Sequence, residues 1–367
     1  MSWSPTEPYN ELPLLPPRLQ EIETRQVLKS VTEARVQLAK LDQASDLMAN
    51  PSVLINTISL LEAQASSEIE NIVTTTDALF KAAQIGDGTT DPAIKETLRY
   101  RSALRSGFEN MKDRALTTRT AIDVCTAIKG IDMDVRKVPG TRIANQSTGE
   151  IIYAPPEGSD TITEKLTNWE RFVHADDGLD PIVKMAVAHY QFEAIHPFAD
   201  GNGRTGRILN ILMLNNAGLL RLPILYISRY IIEHKDDYYS LLREVTSAGN
   251  WERWILFMLE AVRQSSDATT KKILAIRDLQ AEFRGRYAGT SQGMSNVDFL
   301  TVLFDQPYCR IQNVVDNCGV SRPTATKYLD ALTGTGALTR VKVGRDVLFL
   351  NHSFLAVLAD RNEPAAS

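Results

Sequence analysis

Apolar residues recur at helical intervals through most of this chain. Spacings of three and four positions predict an amphipathic helix in the first fifty residues. The apolar positions that would share its buried face are Leu28, Val31, Ala34, Leu38 and Leu41. Asn50-Pro51 then precedes another apolar run and indicates the start of a further helix. The pattern predicts a mainly α-helical protein.

One helix is expected before, and another after, a glycine-rich stretch in the middle of the chain. The run from Asp180 to Ile195 has an N-cap residue, a proline at the first helical position and apolar residues at helical spacing. Residues 208–214 are apolar on nearly every face, which is typical of a helix buried in the centre of a domain. The local prediction is helix, loop, helix.

Strand signals are confined to two places. Residues 142–145 and 150–153 flank a turn-prone Gln-Ser-Thr-Gly and predict a β-hairpin. Between residues 291 and 360 the pattern predicts a helix, then two helices joined by a turn at Gly319, then two strands. That order is typical of a winged helix-turn-helix domain, with Ser321 as the expected N-cap of its second helix.

Composition narrows the class of protein. The 367 residues carry a net charge of −5, which disfavours a protein built mainly to bind nucleic acid. Cys125, Cys309 and Cys318 form no C-x-x-C pair, so a disulfide framework or zinc site is not expected. The first residues do not read as a secretion signal, and no apolar run approaches a membrane span. We expect a cytoplasmic protein with no membrane partner.

The most specific chemistry lies in the glycine-rich stretch, His196-Pro-Phe-Ala-Asp-Gly-Asn-Gly-Arg-Thr-Gly-Arg207. It combines an imidazole base, a carboxylate suited to a metal, bare backbone amides and two guanidinium groups. Such a set suits chemistry on a phosphoanhydride.

The three glycines also match the dinucleotide fingerprint G-x-G-x-x-G, but their context does not. That fingerprint requires a preceding strand and an acidic residue about 20 positions later. A helix is predicted before the stretch, and no acidic residue occurs at the required distance after it. We therefore expect Gly201 and Gly203 to let the backbone curl around an anion at the start of a helix.

The stretch resembles the signature of the Fic family, H-x-F-x-D-G-N-G-R-x-x-R, at every fixed position. The resemblance extends from about residue 5 to 350. It implies a Fic-type helical bundle with a β-hairpin flap, plus the winged helix-turn-helix domain. It also implies transfer of AMP from ATP to a Ser, Thr or Tyr hydroxyl of a target protein or of this protein itself, with release of pyrophosphate.

The resemblance implies a role for each motif residue. His196 would be the general base, Phe198 would pack inward, and Asp200 would bind the Mg²⁺ that accompanies ATP. The residues implied to bind the nucleotide are Gly201, Asn202, Gly203, Arg204, Thr205, Gly206 and Arg207, with Tyr239 or the adjacent Tyr238 further along the chain near the adenosine.

A second motif precedes the first. Ser66-Ser-Glu-Ile-Glu70-Asn71 matches the inhibitory pattern [S/T]-x-x-x-E-[G/N] of many Fic proteins. Glu70 is expected to pair bidentately with Arg207 and so to deny that guanidinium to the γ-phosphate. This reading implies autoinhibition within one polypeptide. In a second reading Glu70 orients a water that removes AMP from modified proteins, and in a third it is an ordinary solvated residue.

The expected organisation has four parts: a helical region with the inhibitory motif at 1–120, a catalytic core at 121–265, a connecting helix at 266–290 and the winged helix at 291–360. The core includes the flap at 141–158, on which a target protein would dock. A homodimer is plausible by resemblance. Basic and acidic residues nearly balance in the last part, so DNA is not the favoured partner. The alternative function is a DNA-binding regulator whose core only senses nucleotide; a sensor, however, needs no base such as His196.

Overall fold

The computed structural model describes residues 3–48, 50–86, 91–144 and 148–359. The prediction of a mainly helical protein is confirmed. The helices are α1 (Leu19–Ile22), α2 (Arg25–Ala44), α3 (Ser52–Ile69), α4 (Thr76–Ile85), α5 (Pro92–Asn110), α6 (Thr118–Lys129), α7 (Ser159–His174), α8 (Pro181–Ile195), α9 (Asn202–Asn216), α10 (Ile227–Glu233), α11 (Lys235–Ala248), α12 (Trp251–Tyr287), α13 (Val297–Asp305), α14 (Ile311–Cys318), α15 (Arg322–Gly334) and α16 (His352–Leu358). The strands are β1 (Ile143–Ala144), β2 (Ile151–Tyr153), β3 (Tyr308–Cys309), β4 (Thr339–Val343) and β5 (Asp346–Leu350).

Helices α8 and α9 form the centre of the molecule. The side chain of Asp180 caps α8 by accepting a hydrogen bond from the backbone N–H of Ile182 at 2.8 Å, as its position before Pro181 predicts. Nearly every residue of α8, and every residue of α9 from Ile208 to Leu214, is buried. Because both helices are packed on all sides, the loop between them has a rigid support.

Helix α2 lies along the first part of α12. Its buried face begins at Val27 and continues through the predicted positions 31, 34, 38 and 41, whereas Leu28 is 51% exposed. The prediction for Leu28 is wrong because Val27, one position earlier, falls on the same stripe as Val31 and takes its place. The hydroxyl of Thr24, the N-cap of α2, donates a 2.6 Å hydrogen bond to Glu252 of α12.

Helix α12 is a single helix of 37 residues and crosses position 265, where the sequence suggested a boundary. Charged residues recur along its length, including Arg263 and Lys271. Within the described ranges, no helix combines the length and the apolar character that crossing a bilayer requires.

The predicted hairpin pairs antiparallel but is short. Ile143 lies opposite Tyr153 and Ala144 opposite Ile151, with an irregular register between them. The predicted first arm and turn fall partly on residues 145–147, which are outside the described residues. The hydroxyl of Tyr153 donates a 2.8 Å hydrogen bond to the carbonyl of Ala194, near the end of α8. The hairpin is thereby attached beside the glycine-rich loop.

The last part of the chain contains helices α13 to α16 and a three-stranded antiparallel sheet in the order β3-β5-β4. Gly319 ends α14 in a left-handed conformation, and the Ser321 hydroxyl caps α15, both at the predicted positions. This arrangement is compatible with the predicted winged helix. The sheet region also packs on the N-terminal helices: Asp305 accepts a 2.9 Å hydrogen bond from Asn56, and Tyr308 donates one of 2.5 Å to Asp77.

Candidate active site

The glycine-rich loop between α8 and α9 is closed by its own side chains. The carboxamide of Asn202 accepts a hydrogen bond from the N–H of Phe198 and donates one to the Phe198 carbonyl, both at 2.8 Å. The ring of Phe198 is fully buried beneath the loop. Gly201 has a φ of 86°, a backbone conformation that residues with a side chain rarely adopt. Asn202, expected at the nucleotide, therefore uses its side chain to brace the loop.

His196 is held at the start of this loop in a left-handed conformation with a φ of 50°. Its Nδ1 is buried, and the backbone of Glu193, one helical turn earlier, favours the protonated form. Burial, reinforced by the positive charge of Arg136, lowers the pKa of His196 to about 4. The imidazole is therefore neutral at physiological pH and able to accept a proton.

Arg136 is a site residue that the sequence did not reveal. Its Nε donates a 2.8 Å hydrogen bond to the carbonyl of His196, and its Nη2 donates a 2.5 Å bond to the carbonyl of Pro156. Its side chain thus links the start of the glycine-rich loop to the segment that follows the hairpin. No spacing signal could identify it, because Arg136 is separated from His196 by 60 positions and belongs to an irregular segment.

Asp200 lies at the open side of the loop, with 62% of its side chain exposed. Burial is the largest single influence and would raise its pKa, but the hydrogen bond and charge of Lys129, together with the charge of Arg204, lower the pKa below its usual value. An exposed, ionised carboxylate beside amides and cations fits a Mg²⁺ that takes its other ligands from substrate phosphates and water. The described residues contain no cluster of three or more His, Cys, Asp or Glu side chains that would bind a metal without substrate.

The two motif arginines are held by different carboxylates. Nη1 of Arg204 donates a 2.6 Å hydrogen bond to Glu96 of α5, while its Nε is buried without a partner among the described residues. Nη2 of Arg207 lies 2.8 Å from Oε1 of Glu70, immediately after α3. Each guanidinium group is therefore engaged by a separate segment of the N-terminal region.

The predicted bidentate pairing between Glu70 and Arg207 is wrong. One nitrogen of Arg207 contacts one oxygen of Glu70, and the other hydrogen bonds of the guanidinium go to Ser66: Nε donates to the hydroxyl at 2.8 Å and Nη2 to the carbonyl at 2.9 Å. The reason is that Ser66 and Glu70 are one helical turn apart, so both reach the same guanidinium. Burial by itself disfavours the charged form of Arg207, but Glu70 raises the pKa of its guanidinium.

Positions 203, 205 and 206 of the motif differ in how closely other side chains approach them. A Cβ added at Gly203 would lie 2.5 Å from Oε1 of Glu70 and 2.9 Å from Nη1 of Arg207, so a side chain here would displace one or both of these groups. Thr205 is fully buried, and a side chain at Gly206 would meet Glu193 and His189. The structure therefore does not bring side chains at 205 and 206 to the surface of the site.

The two adjacent tyrosines of α11 differ in solvent exposure. Tyr238 is buried, and its hydroxyl forms a 2.8 Å hydrogen bond with Nε2 of His189, so it belongs to the core. Tyr239 is 39% exposed. Burial and the nearby charge of Glu70 raise the pKa of its hydroxyl, which places Tyr239 at the edge of the site. Of the two candidates, only Tyr239 is accessible to a nucleotide.

Glu193 is a second residue that the sequence did not reveal. Its Oε1 is buried without a hydrogen-bond partner among the described residues, beside the backbone of Gly206. Burial raises the pKa of Glu193 to about 8, despite the opposing charge of Arg207. A carboxyl group that is largely protonated at neutral pH adds a donor to this wall of the site. Its position inside α8 makes it indistinguishable, in sequence, from a solvated helix residue.

Three family models match this chain. Residues 28–109 match the Fic/DOC family N-terminal model, residues 119–214 match the Fic/DOC family model, and residues 292–354 match the model for the C-terminal domain of SoFic-like protein adenylyltransferases. The second of these covers the glycine-rich loop and both helices that carry it.

Curated relatives are called protein adenylyltransferase Fic. The protein from Culex quinquefasciatus is 30% identical over 114 residues, which is 30% of this chain and 21% of the relative. The protein from Aedes aegypti is 22% identical over 260 residues, which is 66% of this chain and 49% of the relative. The chain thus spans half or less of the length of these relatives.

Solved structures share the fold. A Fic family protein from Desulfovibrio desulfuricans aligns with a TM-score of 0.54 and 21% identity, covering 89% of this chain and 96% of that one. A Fic domain-containing signalling protein from Bacteroides thetaiotaomicron aligns with a TM-score of 0.52 and 18% identity, covering 67% and 97%. From the matched family models, the complete motif and this fold, we conclude that the chain belongs to the Fic/DOC family.

Proposed function

We propose that this protein transfers AMP from ATP to a hydroxyl group of a protein side chain. The observation that carries the proposal is the imidazole of His196, which a left-handed backbone and the hydrogen bond from Arg136 hold at one end of the glycine-rich loop, and which burial keeps neutral. A base in that state can take a proton at physiological pH, which nucleotide sensing alone does not require. The names of the relatives and the match of residues 119–214 to the Fic/DOC family support the same reaction.

In this mechanism His196 accepts the proton of the acceptor hydroxyl as its oxygen attacks the α-phosphorus of ATP. The new bond is a phosphoester, the bond to the bridging oxygen breaks, and pyrophosphate leaves. The N–H groups at Gly201 to Gly203 and the guanidinium groups of Arg204 and Arg207 hold the phosphates. Asp200 would hold Mg²⁺, which neutralises phosphate charge when it is bound.

Glu70 makes the enzyme autoinhibited in this proposal. It occupies Nη2 of Arg207, and Ser66 occupies Nε, so donors that would take the γ-phosphate are already bonded. The contact is intramolecular and buried on the arginine side, which favours it over a screened surface pair. Displacement of Glu70 would free Arg207 for ATP. Removal of AMP, with Glu70 orienting a water, is the alternative that uses the same residues.

The target is expected to lie along the β1–β2 hairpin. Backbone pairing with an exposed strand positions a hydroxyl while reading little side-chain sequence. The acceptor is therefore a Ser, Thr or Tyr of another protein or of this chain, and a homodimer is part of the proposal. The basic residues Arg322, Lys327 and Arg345 are exposed, yet the near-neutral charge of this region favours protein contacts over DNA.

The direct test is transfer of label from ATP labelled at the α-phosphate, with Mg²⁺, to this protein or to proteins of a lysate. Label that survives denaturation and is absent when ATP is labelled only at the γ-phosphate would establish transfer of AMP. Lack of label with the wild type and with Glu70→Gly would contradict transfer and leave removal of AMP to be tested on a modified protein.

The pH dependence of transfer gives an independent test of the base. The reaction needs neutral His196, and its pKa is lowered from 6.5 to about 4. We therefore expect kcat/KM of Glu70→Gly to stay constant as the pH falls from mildly alkaline to mildly acidic values, and to drop only as it approaches about 4. Circular dichroism at each pH controls for unfolding. A midpoint near 6.5 in a folded protein would contradict the lowered pKa of His196, and a profile with no acidic limb in a folded protein would contradict its role as the base.

A further inference from the structure

A lysine outside the motif lies against the motif carboxylate. Nζ of Lys129, the last residue of α6, is 2.5 Å from Oδ2 of Asp200. Its aliphatic stem runs along the loop, because a Cβ added at Gly201 would lie 3.5 Å from Cδ of Lys129. Gly130 ends the helix with a φ of 69°, and Arg99 donates a 3.1 Å hydrogen bond to the Lys129 carbonyl. The helix end and this hydrogen bond thus fix the backbone position from which the Lys129 side chain extends.

Glu96 connects this lysine to the first motif arginine. Its Oε1 lies 2.6 Å from Nη1 of Arg204 and 3.4 Å from Nζ of Lys129. Two cations and two carboxylates therefore alternate beside the loop. The Arg204 side chain is only 3% exposed, whereas those of Lys129 and Asp200 are 20% and 62% exposed. The lysine is consequently the cation of this group that has room to move.

We propose that Lys129 is a phosphate-binding residue of the nucleotide site, and that Asp200 holds its ammonium group until a nucleotide binds. The inference rests on the proposed function, because it assumes that the loop takes the phosphates of a nucleoside di- or triphosphate. A nucleotide bound at the loop brings phosphate charge that competes with the Asp200 carboxylate for the ammonium group, with or without a metal. Phosphate oxygens at the loop then become its nearest new acceptors.

The residue types favour this assignment. A lysine carries a compact charge on a flexible stem, so it can exchange one oxygen partner for another without moving its backbone. Arg204 is different, because Glu96 and burial hold its planar group in place. The competing outcome is that Lys129 merely shifts from Asp200 to Glu96, which would make it a structural residue with no contribution to nucleotide affinity.

The experiment compares ADP binding by calorimetry in the full-length wild type, Lys129→Met and Lys129→Arg. ADP lacks the γ-phosphate, so the contact between Glu70 and Arg207 does not interfere. Loss of a charge-assisted contact to phosphate should weaken binding by about tenfold in Lys129→Met, while Lys129→Arg should retain most of the affinity. The loss should persist in EDTA, where a variant that disturbed only metal binding would match the wild type.

Lys112→Met is the matched control, since Lys112 pairs with Glu109 at the surface away from the loop. Equal ADP affinity in Lys129→Met and wild type, with equal melting temperatures, would overturn the inference. If the methionine variant is unstable, Lys129→Gln provides the same comparison. A wild type that binds no ADP or ATP would instead contradict the proposed function itself, so the two failures are distinguishable.

Discussion

Replacing His196 with alanine is expected to abolish AMP transfer while ADP binding is retained. General-base catalysis contributes about a hundredfold to ten-thousandfold to such reactions, so the loss should be of that size. The imidazole is the group lost, and no phosphate-binding group of the proposed mechanism is removed with it. Label transfer from α-labelled ATP measures the first quantity, and calorimetry with ADP measures the second.

Because of the backbone conformation of His196, a second substitution at this position is needed. Its φ of 50° is uncommon for residues other than glycine, asparagine, aspartate and histidine, so alanine is expected to strain the loop. Asparagine tolerates this conformation and supplies no comparable base, and His196→Asn should therefore lose transfer equally. His352→Ala, at the surface of the last domain, is the control and should transfer normally. Transfer retained in both His196 variants would overturn the base assignment.

Replacing Glu70 with glycine is expected to raise transfer activity by about tenfold to a hundredfold, the range set by one hydrogen bond to a charged group. In the wild type the Glu70 carboxylate lies 2.8 Å from Nη2 of Arg207. Without this carboxylate, Nη2 is free to donate to the γ-phosphate. Glycine is tolerated at this position because Glu70 is the C-cap of α3. The initial rate of label transfer at saturating ATP is the measurement.

Glu68→Ala is the control for this prediction, because Glu68 is an exposed carboxylate in the last turn of the same helix. It should leave the rate unchanged, which separates the specific contact with Arg207 from a general loss of negative charge. A rate for Glu70→Gly equal to or below that of the wild type would contradict autoinhibition. Label removed from a modified protein by the wild type, but not by Glu70→Gly, would support the water-orienting role of Glu70.

Local sequence determined the elements that support the site. The Asp180-Pro181 start of α8, the all-apolar stretch 208–214 and the turn at Gly319 each encode their structure through short-range rules of capping, periodicity and backbone conformation. The dense motif from His196 to Arg207 likewise pointed to phosphate chemistry, because all its groups lie within one loop and one helical turn. Such features require no knowledge of distant contacts.

Register and pairing were decided by the tertiary structure. Val27 replaces Leu28 on the buried face of α2 because the packing partner, α12, selects between neighbouring apolar positions. Arg207 shares its donors between Ser66 and Glu70, since the approach of α3 determines which oxygen reaches which nitrogen. A sequence motif identifies the residues and their spacing, but it does not determine which of their atoms form hydrogen bonds with one another.

The electrostatics of the site also depend on the fold. Arg136, Glu96 and Lys129 come from three different segments, and none carries a recognisable pattern, yet they surround His196, Arg204 and Asp200. Charge and burial act through distances of a few ångströms, whereas these residues are separated by tens of positions along the chain. The sequence by itself therefore indicated the family, most of the helices and the candidate reacting groups. Only the packing of α5, α6 and the hairpin segment against the loop decided their charge states and partners.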